Sequence, residues 1–465
     1  MSAAGTGALT QRGMAPARAR TAEEQAGLRR VILSSILGSI LEWYDFYLYG
    51  TASALIFSQL FFTSLDPTTG VIASFSTLAL GFIARPIGGL FFGGMGDRLG
   101  RKKVLLITML LMGGATAIVG LLPTYASIGL WAPLILCLCR LLQGFAAGGE
   151  YASAVALTTE HAPGERRGFF ASLPGIGVSA GILLSAALFS LFRLMPEDAF
   201  MAWGWRLPFL LSLLVVAIGS YVRLRVQESP VFEQLKEEAM LAAAPVREVF
   251  ASKDARRNLF VAFGARFAEI TSVNVFQVWI LSYLAAWTTS AQGVGLIGIQ
   301  VGQALSLISI PLFGALSDKV GRKPVYMGGA IFMGFFVWPF FAMLHSGQAW
   351  QIVPAMAIML AVAYQAMFAA QASYFSELFA PRLRVTGFTT AREITAAVLG
   401  GPASIIATAI TASAAGGYWP VATFMVAMCI VTSAALIIGP ETHPGLPRNG
   451  ASLGSSSSTQ GNQTP

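Results

Sequence analysis

Twelve runs of about twenty apolar residues punctuate this chain, and nothing constrains its fold more. A bilayer core of about 30 Å takes roughly 20 apolar residues per helical span. The runs begin near Val31, Gly70, Lys103, Trp131, Phe169, Arg206, Asn258, Val294, Pro324, Gln351, Val385 and Gly417. Only 11% of the 465 residues are charged, far below the roughly 25% of soluble domains. The expected class is an all-α polytopic membrane protein of twelve transmembrane helices, with the lipid bilayer as its main partner. The first run is too long for the apolar core of a signal peptide, so no cleavage is expected.

Lysine and arginine set the orientation. They crowd the N-terminal tail (Arg12, Arg18, Arg20, Arg29, Arg30), "DRLGRKK", "ERR", the Arg223 to Arg257 segment, "DKVGRK" and "PRLR", while the opposite loops hold almost none besides Arg193. The positive-inside rule then makes both termini and the basic loops cytoplasmic, with the chain in the plasma (inner) membrane. The net charge of +8 reads as topology, and no nucleic-acid partner is expected.

The chain also repeats itself. "GGMGDRLGRKK" at Gly93 to Lys103 matches "GALSDKVGRKP" at Gly314 to Pro324, and "EHAPGERRG" at Glu160 to Gly168 loosely matches "ELFAPRLRVTG" at Glu377 to Gly387. Two pseudo-symmetric six-helix bundles follow: a disordered tail over 1–28, a first bundle over 29–226, a cytoplasmic linker with a short helix over 227–257, a second bundle over 258–440 and a disordered tail over 441–465. A site between two similar bundles can be opened alternately to either side, which is a transporter arrangement. A polytopic enzyme would need a nucleophile with a base, or metal ligands, and no His/Cys cluster or HExxH pattern occurs. A receptor has no need of duplicated basic loops. Cys137, Cys139 and Cys429 lie inside spans without metal or redox spacing and read as packing residues. No cofactor or metal is expected.

These loops resemble the cytoplasmic signature of the major facilitator superfamily. "LEWYDFYLYG", "GFIARPIGG", "RLLQGFAAGGEY", "WGWRLPFLLS" and "ESPVFEQL" narrow the resemblance to its metabolite:proton symporter family, from about Leu28 to Glu441. Members of that family take up small carboxylates, shikimate, or zwitterions such as proline and glycine betaine. The resemblance implies a monomer working by alternating access, with helices 1, 4, 7 and 10 lining a central cavity. It also implies a gating charge network of Asp97, Arg98 and Arg101, with Asp318, Lys319 and Arg322 as second-half counterparts that do not touch substrate.

Charged residues inside the spans carry the chemistry. Glu42 lies about 17 Å beyond Val31 at 1.5 Å per residue, too deep to face lipid. At 100° per residue Gly38, Glu42, Asp45 and Tyr49 share one narrow face, as do Arg140, Gln143, Ala147 and Glu150 in the fourth span and Arg266, Glu269 and Gln277 in the seventh. The tenth span adds Tyr364, Gln365 and Gln371. Arg85, Arg392 and Glu393 are expected nearer the cytoplasmic end, where long side chains can reach water.

A charge at mid-bilayer costs about 2.5 to 3.5 kcal/mol on the insertion scale, so these must serve stability, as ion pairs between helices, or function. Of the histidines, His161 falls in a loop, His345 at a helix end and His443 in the tail, so proton coupling would run through Glu42, Asp45, Glu269 or Glu150. The acids of the first span would bind a proton, position a cationic group, or do both. Arg140 is the leading anion ligand, since a guanidinium forks onto a carboxylate; its alternative role is permanent partner of Glu42 or Asp45. Gln143, Tyr49, Arg266, Gln277, Tyr364 and Gln365 complete the candidate substrate wall. The expected function is proton-coupled uptake of a small organic acid or zwitterion; the rivals are a proton-driven exporter and an uncoupled facilitator. The tail "PGLPRNGASLGSSSSTQGNQTP" carries no heptad, which weakens an osmosensor assignment.

Overall fold

Each apolar run becomes helix in the computed structural model, which describes residues 22–99, 101–148, 150–225, 245–287, 292–379, 383–443 and 445. In chain order the spans are α1 (Ala22–Leu55), α2 (Pro67–Leu99), α3 (Arg101–Leu121), α4 (Trp131–Ala147), α5 (Arg167–Phe192) and α6 (Arg206–Arg225). The second half supplies α7 (Lys253–Trp287), α8 (Gln292–Val320), α9 (Arg322–His345), α10 (Ala349–Leu378), α11 (Arg384–Ser413) and α12 (Trp419–Ile438). Ten of these regions are long and apolar enough to cross a membrane; α6 does so with Glu197–Gly204 across a 45° bend, and α3 contributes the shorter apolar stretch Leu106–Leu121. Leucine and phenylalanine side chains such as Leu110, Leu134, Leu214, Phe260, Leu312 and Phe335 stand exposed, as a lipid-facing surface requires.

Two ends of the expected division move. The first helix begins at Ala22, ahead of 29, because "AEEQAGLRR" is built of helix-forming residues with acids in its first turn. At the other end Glu441, Thr442 and His443 are bound to the second half, where a free tail from 441 was expected: the Glu441 carboxylate takes the Arg322 and Lys323 backbone N–H groups at 3.0 and 3.1 Å. Most of the expected linker lies outside the described residues, which resume with the short helix Pro245–Ala251.

Small residues let the halves and their helices meet. α5 packs on α1 within the first half and on α8 of the second, and α2 packs on α4 and on α11. At Gly144 of α4 an added methyl would run into the Gly81 backbone of α2, and at Gly168 of α5 into Gly314, Ser317 and Arg322 of the second half. Backbone cannot step aside as a side chain can. Gly144→Ala is therefore expected to destabilise the first half by about 1–3 kcal/mol, read as a lower unfolding temperature of the detergent-purified protein; an unchanged temperature would place the α2–α4 contact elsewhere.

The second half carries π-helical turns inside three spans, Asn274–Trp279 in α7, Met359–Tyr364 in α10 and Ala396–Gly400 in α11. Such turns shift the face a helix presents and recur at functional sites. Gln277 and Tyr364 lie within them.

Candidate functional site

Four arginines and four carboxylates are buried together where the halves meet: Arg85, Arg140, Arg266 and Arg392 with Glu42, Asp45, Glu269 and Glu393. α1 turns Glu42, Asp45 and Tyr49 toward α2, α3 and α4. Asp45 Oδ1 accepts from the Thr116 hydroxyl and from Gln143 Nε2 (3.0 Å), while Arg140 Nη1 stands 3.9 Å from Oδ2. The same nitrogen donates to Gln143 Oε1 at 3.1 Å, and the guanidinium lies over the Tyr49 ring at 4.4 Å. Tyr49 is fixed in turn by Thr77, 2.6 Å from its hydroxyl. Asp45, Gln143, Thr116 and Arg140 thus form one unit within the first half.

Glu42 belongs to a second unit that crosses between halves. Its Oε1 lies 3.5 Å from Arg85 Nη2, Arg85 Nη1 lies 3.9 Å from Glu393 Oε2, and Glu393 Oε1 lies 3.5 Å from Arg392 Nε. Arg85 is its bridge. A third unit is confined to the second half: Arg266 Nε donates to Glu269 Oε2 at 3.0 Å, its Nη1 donates to the Arg392 carbonyl, and Glu269 also accepts from Tyr364 (3.4 Å) and Gln371 (3.3 Å). A small cavity runs between the first two units, lined by Glu42, Asp45, Phe46, Arg85, Arg140 and Gln143.

The structure resolves several sequence expectations. Arg85, Arg392 and Glu393 do not reach toward water at a membrane end; they are 6%, 1% and 4% exposed and sit in the centre of the charge network. Burial comes from neighbouring elements: α10, the helix Glu150–His161 and α2 all pack against α11. Arg140 has Asp45, not Glu42, as its partner. The α4 stripe stops short of Glu150, because the chain turns extended at Gly148 and Glu150 opens the next helix. Gln277 is drawn away from the charges to Gln303 (3.0 Å), and Gln365 reaches across the halves to Ser179 (3.2 Å). Thr116, Tyr151 and the central role of Arg392 escaped sequence reasoning; adjacent Arg and Glu within "TTAREITAA" were the signal available.

At the end carrying the basic loops, Asp318 and Arg322 form a second polar centre. Asp318 accepts the backbone N–H groups of Gly168 (2.7 Å) and Phe169 (2.8 Å) at the start of α5, so a second-half carboxylate caps a first-half helix. Arg322 donates to Asp318 at 2.7 Å and forks onto Glu377 at 3.2 Å. His443 Nε2 lies 2.8 Å from the Asp318 carbonyl, and Lys319 is exposed. The side chains of Asp97, Arg98 and Arg101 lie outside the described residues. Among the described residues no cluster of His, Cys, Asp or Glu has the arrangement to hold a metal ion.

Helical bundles that meet over buried ion pairs, with a second ion-pair cluster at one end, fit a polytopic membrane transporter. The chain belongs to the sugar (and other) transporter family of the major facilitator superfamily, whose model matches residues 31–260 and 233–444. It is 36% identical over 421 residues to the shikimate transporter of Escherichia coli (strain K12), covering 88% of this chain and 94% of that one. A glycine betaine/proline/ectoine/pipecolic acid transporter of Dickeya dadantii (strain 3937) is 36% identical over 386 residues, 80% of this chain and 76% of the relative. Among solved structures, the proton:xylose symporter XylE bound to 6-bromo-6-deoxy-D-glucose superposes with a TM-score of 0.70 at 18% identity, covering 90% of this chain and 97% of that one. The relatives are transporters, and this chain is one: a multi-pass membrane carrier of small molecules.

Proposed function

We propose that the protein is a monomeric proton-coupled importer of a small organic acid, placed in the plasma membrane with its termini and basic loops in the cytoplasm. The observation that carries this reading is the charge balance of the central cluster, where among the described residues four arginines are buried with four carboxylates. A carboxylate that enters adds one negative charge in a medium where unpaired charge is expensive. Uptake of one proton by Asp45 or Glu42 restores the balance. The anion and the proton then belong in the cavity together or not at all, which is symport. Arg140, Gln143 and Tyr49 are assigned to the first-half wall and Arg266, Tyr364 and Gln365 to the second, while Gln277 is paired with Gln303. Glu269 already accepts from three donors and serves as a fixed anchor, leaving Glu150 a lesser candidate for the proton.

The named relatives carry shikimate, betaines and proline, and all of these bear a carboxylate. Charge balance favours the acid over the zwitterion, because a zwitterion brings its own cation. In proteoliposomes an outside-acid gradient should drive accumulation of shikimate or another small acid without electrical current, one proton per monoanion. Accumulation driven outward would make the chain an exporter, and equilibration without proton movement would make it a facilitator; either result overturns the reading.

A further inference from the structure

Arg392 is buried to 1% exposure, and its end has nothing to hold. Its Nε faces Glu393 and its flat face lies 4.1 Å from the Tyr151 ring centroid. Nη1 and Nη2, the forked edge, have no hydrogen-bond partner. The other arginines of the network differ: Arg140 donates to Gln143, Arg266 to Glu269 and a carbonyl, and Arg85 divides its two terminal nitrogens between Glu42 and Glu393. Tyr151, 3% exposed, likewise has a hydroxyl without a partner. Unmade hydrogen bonds on a buried guanidinium are costly, and a carboxylate is the group whose two oxygens match that edge.

We propose that Nη1 and Nη2 of Arg392, with the hydroxyl of Tyr151, are the dock for the carboxylate of the transported solute. The inference rests on the reading of the chain as a carrier of small acids and adds where the acid is held. Arg392 stands on α11 of the second half and Tyr151 on the helix Glu150–His161 of the first. One carboxylate would then bind both halves at once, so that binding itself draws them together. The dock continues into an aromatic wall: the Tyr151 ring lies 5.6 Å from Phe368, which stacks on Tyr364 at 5.5 Å. Such a wall suits a solute with a ring or compact hydrocarbon body behind its carboxylate.

The test uses the purified full-length protein and three probes, shikimate, benzoate and glycine betaine, each beside its methyl ester. Binding is read from ligand-dependent shifts in unfolding temperature. At least one acid should stabilise the protein while its ester does not. Arg392→Lys keeps the charge beside Glu393 but loses the fork, and should weaken that acid about 100-fold; Tyr151→Phe keeps the ring and should weaken it about tenfold. A purely structural role would lower the unfolding temperature without ligand and leave affinity unchanged. Wild-type affinity in folded Arg392→Lys, or in Tyr151→Phe should the lysine variant fail to fold, overturns the dock even if acid uptake is proton-coupled. Equal binding of acid and ester overturns it as well. If no probe binds or is transported by the wild type, the acid-carrier reading falls and takes the dock with it. Acid binding through Arg392 without proton-driven uptake would remove the coupling and leave the dock standing.

Discussion

Asp45→Asn is expected to abolish concentrative uptake driven by a pH gradient while leaving solute counterflow between compartments of equal pH intact. The amide keeps an oxygen for the donors that hold Asp45, the Thr116 hydroxyl and Gln143 Nε2, and it puts a neutral NH2 where Oδ2 stands 3.9 Å from Arg140. It imitates the protonated acid and cannot give the proton up. Counterflow asks only that the loaded carrier reorient, whereas accumulation asks for a proton released at each turn. One proton per solute across a one-unit gradient supports an accumulation ratio of about ten, since 1.4 kcal/mol is a factor of ten; the variant should fall to a ratio of about one. Glu42→Gln makes the comparison, because Glu42 shares Arg85 with Glu393 across the halves. Its loss should depress uptake and counterflow together. A fixed structural ion pair at Asp45 predicts another pattern, with a buried guanidinium left unpaired at about 3–5 kcal/mol and protein yield falling alongside both activities. Full accumulation by Asp45→Asn together with its loss in Glu42→Gln would move the proton to Glu42.

Depth along a helix was legible in the sequence where a charge stood far from both ends of its apolar run. Glu42, Asp45 and Arg140 did, and their burial follows from the cost of facing lipid. Arg392 did not. It lies a few turns from the basic residues of "PRLR", and distance from a span's start says nothing of how far neighbouring helices extend beyond it. The helix Glu150–His161 and α10 pack against α11 there and enclose a residue that single-span reasoning assigns to the interface. Pairing was equally hidden, since periodicity gives a face and leaves open which arginine meets which acid. The π-helical turns of α7, α10 and α11 explain part of this: each shifts the 100° count, so Gln277 leaves the face predicted for it alongside Arg266 and Glu269. The repeat was more generous. A loop copied at Gly93 and Gly314 points to Asp318 from the sequence alone, though not to its contact with the opposite half.

That contact sets the second large expectation. The N–H groups of Gly168 and Phe169 are first-turn donors of α5, without partners in their own helix, and they sit at its positive end. Asp318 supplies both acceptors and is itself held by Arg322, which is anchored on Glu377. With the basic-loop end cytoplasmic, as proposed, opening it would pull the carboxylate off α5, while the Arg322–Glu377 fork would travel within the second half. We propose that the cap is made in the state closed at this end and lost in the open one, which is what a state-selective lock requires. Asp318→Asn removes the charge and one acceptor. With each charge-assisted hydrogen bond worth about 1.5–3 kcal/mol, the closed state should lose roughly ten- to hundredfold in population relative to the open one. Ser172, 1% exposed on α5 against Gly314, reports the change. In a background with Cys137, Cys139 and Cys429 replaced, Ser172→Cys should react with a membrane-impermeant maleimide from the cytoplasmic face of inside-out vesicles about ten times faster or more when Asp318→Asn is added. Transport should slow, since the return through the closed state becomes the uphill step, while the cavity residues proposed to bind solute are untouched. Equal labelling with and without Asp318→Asn would show that the α5 cap does not hold the gate, and the weight of closure would pass to the glycine-lined contact of α5 with α8.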